Sequence, residues 1–159
     1  MLMTSAIPPA DVQVPVRAAV AAALAVAAAQ ALQLEFPLYA LVSAVIVTDL
    51  SPAETRKLGL WRVAGTVLGA AIGATLSTFF PHGPVAIGVG VMAAMFLCHV
   101  LRLRGAAKVS GYVCGIVLLD FHTQPWFYAV HRLLETLLGI AMAVLVSLVP
   151  LWLSADKNK

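Results

Sequence analysis

The chain has 159 residues, of which 62% are hydrophobic and only 11% charged, with a formal net charge of +3. Soluble domains commonly carry about 25% charged residues, so an ordinary water-soluble domain is excluded. The basic residues are scattered between apolar blocks and form no patch, which argues against a nucleic-acid surface. The apolar blocks are long enough to cross a bilayer, which takes about 20 residues per helix. One integral membrane domain surrounded by lipid is expected.

Residues 1–14 read as a flexible N-terminal arm broken by Pro8 and Pro9. They hold no Lys or Arg ahead of the first apolar block, which argues against a cleaved signal peptide. Helix 1 is expected to start near Pro15, a favourable first-turn residue, and to end near Leu34. Helix 2, over residues 37–48, is short, spanning about 18 Å against a bilayer core of about 30 Å. Ser51-Pro52-Ala53-Glu54 has the pattern of a capping box with proline at the first helical position. Helix 3 starts there and can run to Phe80. Gly65, Gly69 and Gly73 recur on it at four-residue spacing, which permits close helix approach in lipid. After the His82-Gly83-Pro84 turn, helix 4 runs to about Leu101. Helix 5, about 109–119, is again short and carries Gly111 and Gly115. Helix 6 runs from about Pro125 to Leu153, with Gly139, Ala143 and Ser147 on one stripe. Residues 154–159 are a polar tail.

The chain repeats itself. DLSPAETRKLGLWRVAGTVLG begins at Asp49, and DFHTQPWFYAVHRLLETLLG begins at Asp120. Arg62, Thr66 and Gly69 in the first copy match Arg132, Thr136 and Gly139 in the second, 70 positions on. The membrane domain, 15–153, thus divides into repeat one, 15–81, and repeat two, 84–153. Three helices per repeat is an odd number, so the second repeat is expected upside down relative to the first. The fold expected is all-α: six transmembrane helices as two inverted three-helix repeats, with helices 2 and 5 short. With both termini cytoplasmic, six spans leave Arg132 as the only one of the basic residues outside, in keeping with the positive-inside rule. Four spans give a poorer split.

Arg132 is therefore the outlier, and Arg62 is its match. Each is a candidate for facing a pore or a solute, against the plainer reading of a snorkelling flank, which suits Arg62 better than Arg132. Glu135 lies three residues beyond Arg132 and could pair with it on the helix surface. Its counterpart in the first repeat is Gly65, so the halves differ chemically. Asp49 and Asp120 end the short helices. They would either cap the next helix or serve, with Glu135, as proton-accepting or ion-pairing carboxylates. Thr66 and Thr136 lie one turn past the arginines and would either bond their own helix backbone or share the pore. Gly65, Gly69, Gly73, Gly111, Gly115 and Gly139 read as helix-packing residues. His99, His122 and His131 show no metal-ligand spacing, and Cys98 and Cys114 no disulfide or metal pattern. No nucleophile-base arrangement, phosphate loop or cofactor motif is present, so an enzyme is disfavoured. Trp126, Phe127 and Tyr128 suit a membrane interface.

The stretch VSAVIVTDLSPAETRKLGLWRVAGTVLGAAIGA, residues 42–74, resembles the fusaric acid resistance and aromatic acid exporter family, and HRLLETLLGIAMAVLVSL, residues 131–148, is similar to its weaker second motif. The membrane layout is also similar to that of plant aluminium-activated malate transporters. The resemblance implies passage of organic anions, often aromatic carboxylates, across the cell inner (plasma) membrane by a multi-pass homo-oligomer, a dimer or a trimer. It carries over to Asp49, Arg62, Thr66 and Gly69, and more loosely to Asp120, Arg132, Thr136 and Gly139. Many such proteins carry a large cytoplasmic domain or a second membrane unit. The alternative expectation is a non-transporting membrane module that assembles with a partner protein.

Overall fold

The computed structural model describes residues 9–80, 83–119 and 124–149. Asp120, His82, His122, the first eight residues of the arm, the expected end of helix 6 beyond residue 149 and the polar tail lie outside them. The described residues form six α-helices: α1 Pro9–Ala31, α2 Pro37–Val47, α3 Pro52–Phe79, α4 Pro84–Val100, α5 Ala107–Leu119 and α6 Pro125–Leu148. A 3-10 turn, Arg104–Ala106, leads into α5.

Prolines set four of the helix starts. Pro37, Pro52, Pro84 and Pro125 all stand in the first helical positions, where the missing amide costs no hydrogen bond and the fixed φ suits a helix. Pro15 does not act this way. The chain is already helical at Pro9, and Pro15 lies inside α1. A proline two turns in forfeits one backbone bond, and the helix continues through it. The Ser51 capping box does not form either. Ser51 is the N-cap but its side chain makes no capping bond, and Glu54 instead accepts from Lys57 Nζ at 3.1 Å.

Six spanning helices were expected. Three, Val12–Ala31 within α1, Pro52–Phe79 and Pro125–Leu148, are long and apolar enough to cross a bilayer alone. The 11 residues of α2 and 13 of α5 reach only about 16 and 20 Å. The 17 residues of α4 fall just short. The outer sides of the long helices are largely apolar. On α4, Val85, Val89, Met92, Phe96 and Val100 form one exposed stripe, and Leu60, Val67, Leu134 and Leu145 are exposed on α3 and α6. A water-facing surface would not carry such a continuous apolar cover.

The halves interlock. α3, the last helix of the first half, lies along α5, and α6 lies along α2. α3 and α6 also meet each other, while α1 covers α2 and α6, and α4 covers α5 and α3. Each contact therefore has its counterpart when α1, α2 and α3 are exchanged for α4, α5 and α6. The correspondence reaches single residues. A Cβ on Gly69 would run into the carbonyl oxygen of Ser110, and one on Gly139 into that of Ala40. Positions 40 and 110 are 70 apart, as are 69 and 139. Gly65 and Gly73 also face α5, against Val109 and Val117, whereas Gly111 and Gly115 face Met95 and Val91 of α4.

The turns after α1 and α4 match as well. Gln33 and Arg102 both adopt left-handed backbone, at φ 54 and 58. The amides of Leu34 and Leu103 close each helix end on the carbonyls of Ala29 and Cys98, in the manner of a Schellman cap. For these outer helices the shift is 69 positions.

Candidate functional site

Polar side chains meet where α2, α3, α5 and α6 come together. Arg62 and Arg132 are each only 3% exposed, so neither snorkels to the surface of this bundle. Arg62 Nε donates to Ser43 Oγ at 3.3 Å, and its guanidinium carbon lies 5.2 Å from the Tyr112 ring centre. Arg132 stacks on Tyr39, 3.3 Å from ring centre to guanidinium carbon, with Tyr128 at 5.8 Å. Each arginine thus rests on a tyrosine from the short helix of the other half. A guanidinium over an aromatic face gains from the ring quadrupole and from the loss of competing water. The two charges lie close enough to repel each other.

The aromatic wall around Arg132 is continuous. The hydroxyls of Tyr39 and Tyr128 share a hydrogen bond of 3.0 Å, and Phe36 packs edge-on to Tyr128 with ring centres 5.4 Å apart. Tyr128 therefore belongs to the interior. Its neighbours Trp126 and Phe127 are exposed, so the aromatic trio read from sequence as interfacial is split.

Glu135 is 0% exposed. Its Oε1 accepts from the Phe36 backbone amide at 2.8 Å, and it forms no ion pair with Arg132. The expected surface pair is replaced by a buried tie between α6 and the start of α2. Lys57–Glu54, at 3.1 Å on the surface, is the one ion pair among the described residues. Several buried polar atoms have no hydrogen-bond partner there: Arg62 Nη1, Arg132 Nε and Nη1, Glu135 Oε2, Ser110 Oγ and the Tyr112 hydroxyl. Buried polar groups without partners are costly and uncommon in proteins, and two guanidiniums supply half of these. The arrangement is cationic and rich in donors, and suits an oxyanion.

The other sequence candidates fall elsewhere or in lesser roles. Thr66 is buried and donates its hydroxyl to the Arg62 carbonyl at 2.8 Å, so that donor is already used. Thr136 is buried on α6. Asp49 lies in the α2–α3 connection, where its Oδ1 accepts from the Ser51 amide at 3.4 Å and its own amide donates to Thr55 Oγ1 at 3.1 Å. Asp49 therefore orders a turn and meets neither arginine in an ion pair. Cys98 and Cys114 are buried free thiols. Among the described residues no three His, Cys, Asp or Glu side chains gather as metal ligands.

Sequence reasoning missed Tyr39, Ser43, Ser110, Tyr112 and Phe36. For all but Phe36 the available signal was chemical, not periodic: hydroxyl groups inside the two short apolar helices. A tyrosine in such a place normally has a partner for its hydroxyl or its ring.

A helical bundle with apolar sides and three helices long and apolar enough to cross a bilayer has the build of a membrane protein. The chain belongs to the fusaric acid resistance protein-like family, whose model matches residues 24–146. It is 28% identical to a UPF0421 protein of Halalkalibacterium halodurans over 112 residues, 70% of this chain and 31% of that protein. It is also 23% identical to a UPF0421 protein of Staphylococcus saprophyticus over 114 residues, 71% of this chain and 35% of that protein. The chain spans about a third of the length of the curated relatives it matches. No solved structure matches.

Proposed function

We propose that this chain forms a pathway for small organic anions, aromatic carboxylates above all, across the cell inner membrane. The observation that carries this reading is the pair of buried arginines, Arg62 and Arg132, with three unpartnered nitrogens between them and, among the described residues, no carboxylate in an ion pair with either. A carboxylate would accept from both guanidiniums, and its ring would suit the walls of Tyr39, Tyr112 and Tyr128. Thr136 stands one turn beyond Arg132 as a further polar lining residue. Glu135 and Asp120 are the carboxylates through which a proton would be coupled, and Glu135 acts by competing with the anion for Arg132.

The exchanged contacts of the halves support an inverted repeat with six membrane-inserted helices, in which the short α2 and α5 reach the centre from opposite sides. Both termini then lie in the cytoplasm. The apolar outer stripes support a homo-oligomer, a dimer or a trimer.

The test is flux of benzoate, fusarate and malate through the purified chain in liposomes, with and without a proton gradient. The expected result is carboxylate flux that Arg132→Gln removes at unchanged protein yield. No flux of any of the three anions would overturn the reading. The alternative is a membrane module that acts only with a partner protein. Flux restored by a co-purifying partner would favour it.

A further inference from the structure

A third buried cation lies outside the central site. Arg17 of α1 is 5% exposed. Its Nη1 donates to the Leu50 carbonyl at 2.8 Å, which ties α1 to the α2–α3 connection. Its Nε is buried and has no partner. Arg17 closes one end of a groove of about 240 Å³ between α1 and α6, whose other walls are Val20, Leu24, Leu145, Val146 and Val149. Val20, Leu24, Leu145 and Val149 are also exposed on the outer surface, so the groove opens sideways, towards lipid.

The corresponding groove in the other half lies between α3 and α4. It is lined by residues that include Leu76, Phe80, Ala86 and Val89, with a volume of about 400 Å³. By the 69-position shift of the outer helices, Ala86 stands where Arg17 stands and Val89 where Val20 stands. By the 70-position shift, Leu76 matches Val146. Both halves therefore keep the apolar groove, and only the first half adds a buried cation to it. Packing alone does not call for a guanidinium there, because the other half does without one.

We propose that the α1–α6 groove holds one acyl chain of an anionic phospholipid, whose phosphate accepts from Arg17 Nε. The apolar walls take the chain, and the open side leaves the second chain in the bilayer. Arg17 lies near the N-terminal end of α1 and Val149 at the C-terminal end of α6, so the cation sits towards a membrane edge, at headgroup depth. A phosphate there meets a charge-assisted donor that bulk water does not compete for.

The test is native mass spectrometry of the detergent-purified chain, titrated with dioleoyl phosphatidylglycerol, dioleoyl phosphatidylcholine, oleate and inorganic phosphate. Phosphatidylglycerol is expected to bind about tenfold more tightly than phosphatidylcholine, which carries the same phosphate but adds a choline cation that Arg17 repels. Arg17→Gln should remove that preference. Leu145→Trp, which fills the groove and leaves Arg17 in place, should weaken both lipids, and it decides the matter if Arg17→Gln does not fold. Val89→Trp in the other groove should leave the headgroup preference unchanged. Equal binding of the two phospholipids, or phosphatidylglycerol binding untouched by Leu145→Trp, would overturn the proposal. Arg17-dependent binding of oleate or of free phosphate in place of phosphatidylglycerol would overturn it too.

Discussion

Glu135 and Gly65 hold the same position in the two halves with opposite contents. Gly65 brings α3 so close to α5 that a Cβ would meet the Ala106 carbonyl and Val109. Glu135 places its carboxylate on the amide of Phe36, and residues 36 and 106 are themselves 70 positions apart. One half thus packs backbone against backbone where the other inserts a charge beside Arg132. A symmetric pair of arginines sits in an asymmetric field.

That asymmetry separates two roles of Glu135. Glu135→Gln keeps an acceptor for the Phe36 amide and removes the charge. Glu135→Ala leaves the amide bare, at a cost of about 1–3 kcal/mol. Thermal unfolding in detergent should show Glu135→Ala well below Glu135→Gln, with Glu135→Gln close to the parent. In liposomes Glu135→Gln should alter the proton dependence of flux. Equal unfolding midpoints for the two variants would show that the Phe36 bond carries no weight.

The arginines should not be interchangeable with lysine. Each lies over a tyrosine ring, and a planar fork serves ring and carboxylate together where an ammonium does not. Arg132→Lys should lower carboxylate flux by about tenfold, the worth of roughly one charged hydrogen bond, and Arg62→Lys by less, because Arg62 already has Ser43 as a partner. Parent-level flux from Arg132→Lys would show that only the charge matters.

The glycines divide sharply by what they touch. Gly69→Ala and Gly139→Ala drive a Cβ into a carbonyl oxygen of the facing helix, where backbone cannot yield. Each should cost about 1–3 kcal/mol or more by overpacking. Gly88→Ala, with nothing within 4 Å of its added Cβ, should be neutral or slightly stabilising. Unfolding midpoints of the three variants check this.

In the α2–α3 connection, Thr55 rather than Asp49 should govern stability. Thr55 is fully buried and accepts from the Asp49 amide, so Thr55→Val should cost about 1–2 kcal/mol. Asp49→Asn keeps the acceptor in its long contact with the Ser51 amide and should shift stability by under about 0.5 kcal/mol, with flux unchanged. A large loss of flux in Asp49→Asn would return that carboxylate to the transport site.

Much of the fold was legible because proline punctuates it. Pro37, Pro52, Pro84 and Pro125 mark helix starts by local geometry alone. Pro15 misled, since a proline early in a helix and one at its first residue look alike in sequence. The two arginines were visible through their 70-position spacing. Their surroundings were not, because Tyr39 and Tyr112 reach them across the interface between halves and Ser43 from the neighbouring helix, and no local pattern records such a meeting. Helix length set the other limit. The apolar runs named six helices, yet among the described residues three reach the length that spans a bilayer unaided.

The interlocking of the halves also bears on biogenesis. The glycine face of α3 at Gly65, Gly69 and Gly73 is covered by α5, which leaves the ribosome later. Until α5 arrives, the first three helices present a bare, small-residue seam to the membrane and to the insertion machinery. The first half therefore waits on the second. Cutting the gene between the halves would yield two fragments, each lacking its main packing partner and each a target for proteolysis until the other is supplied.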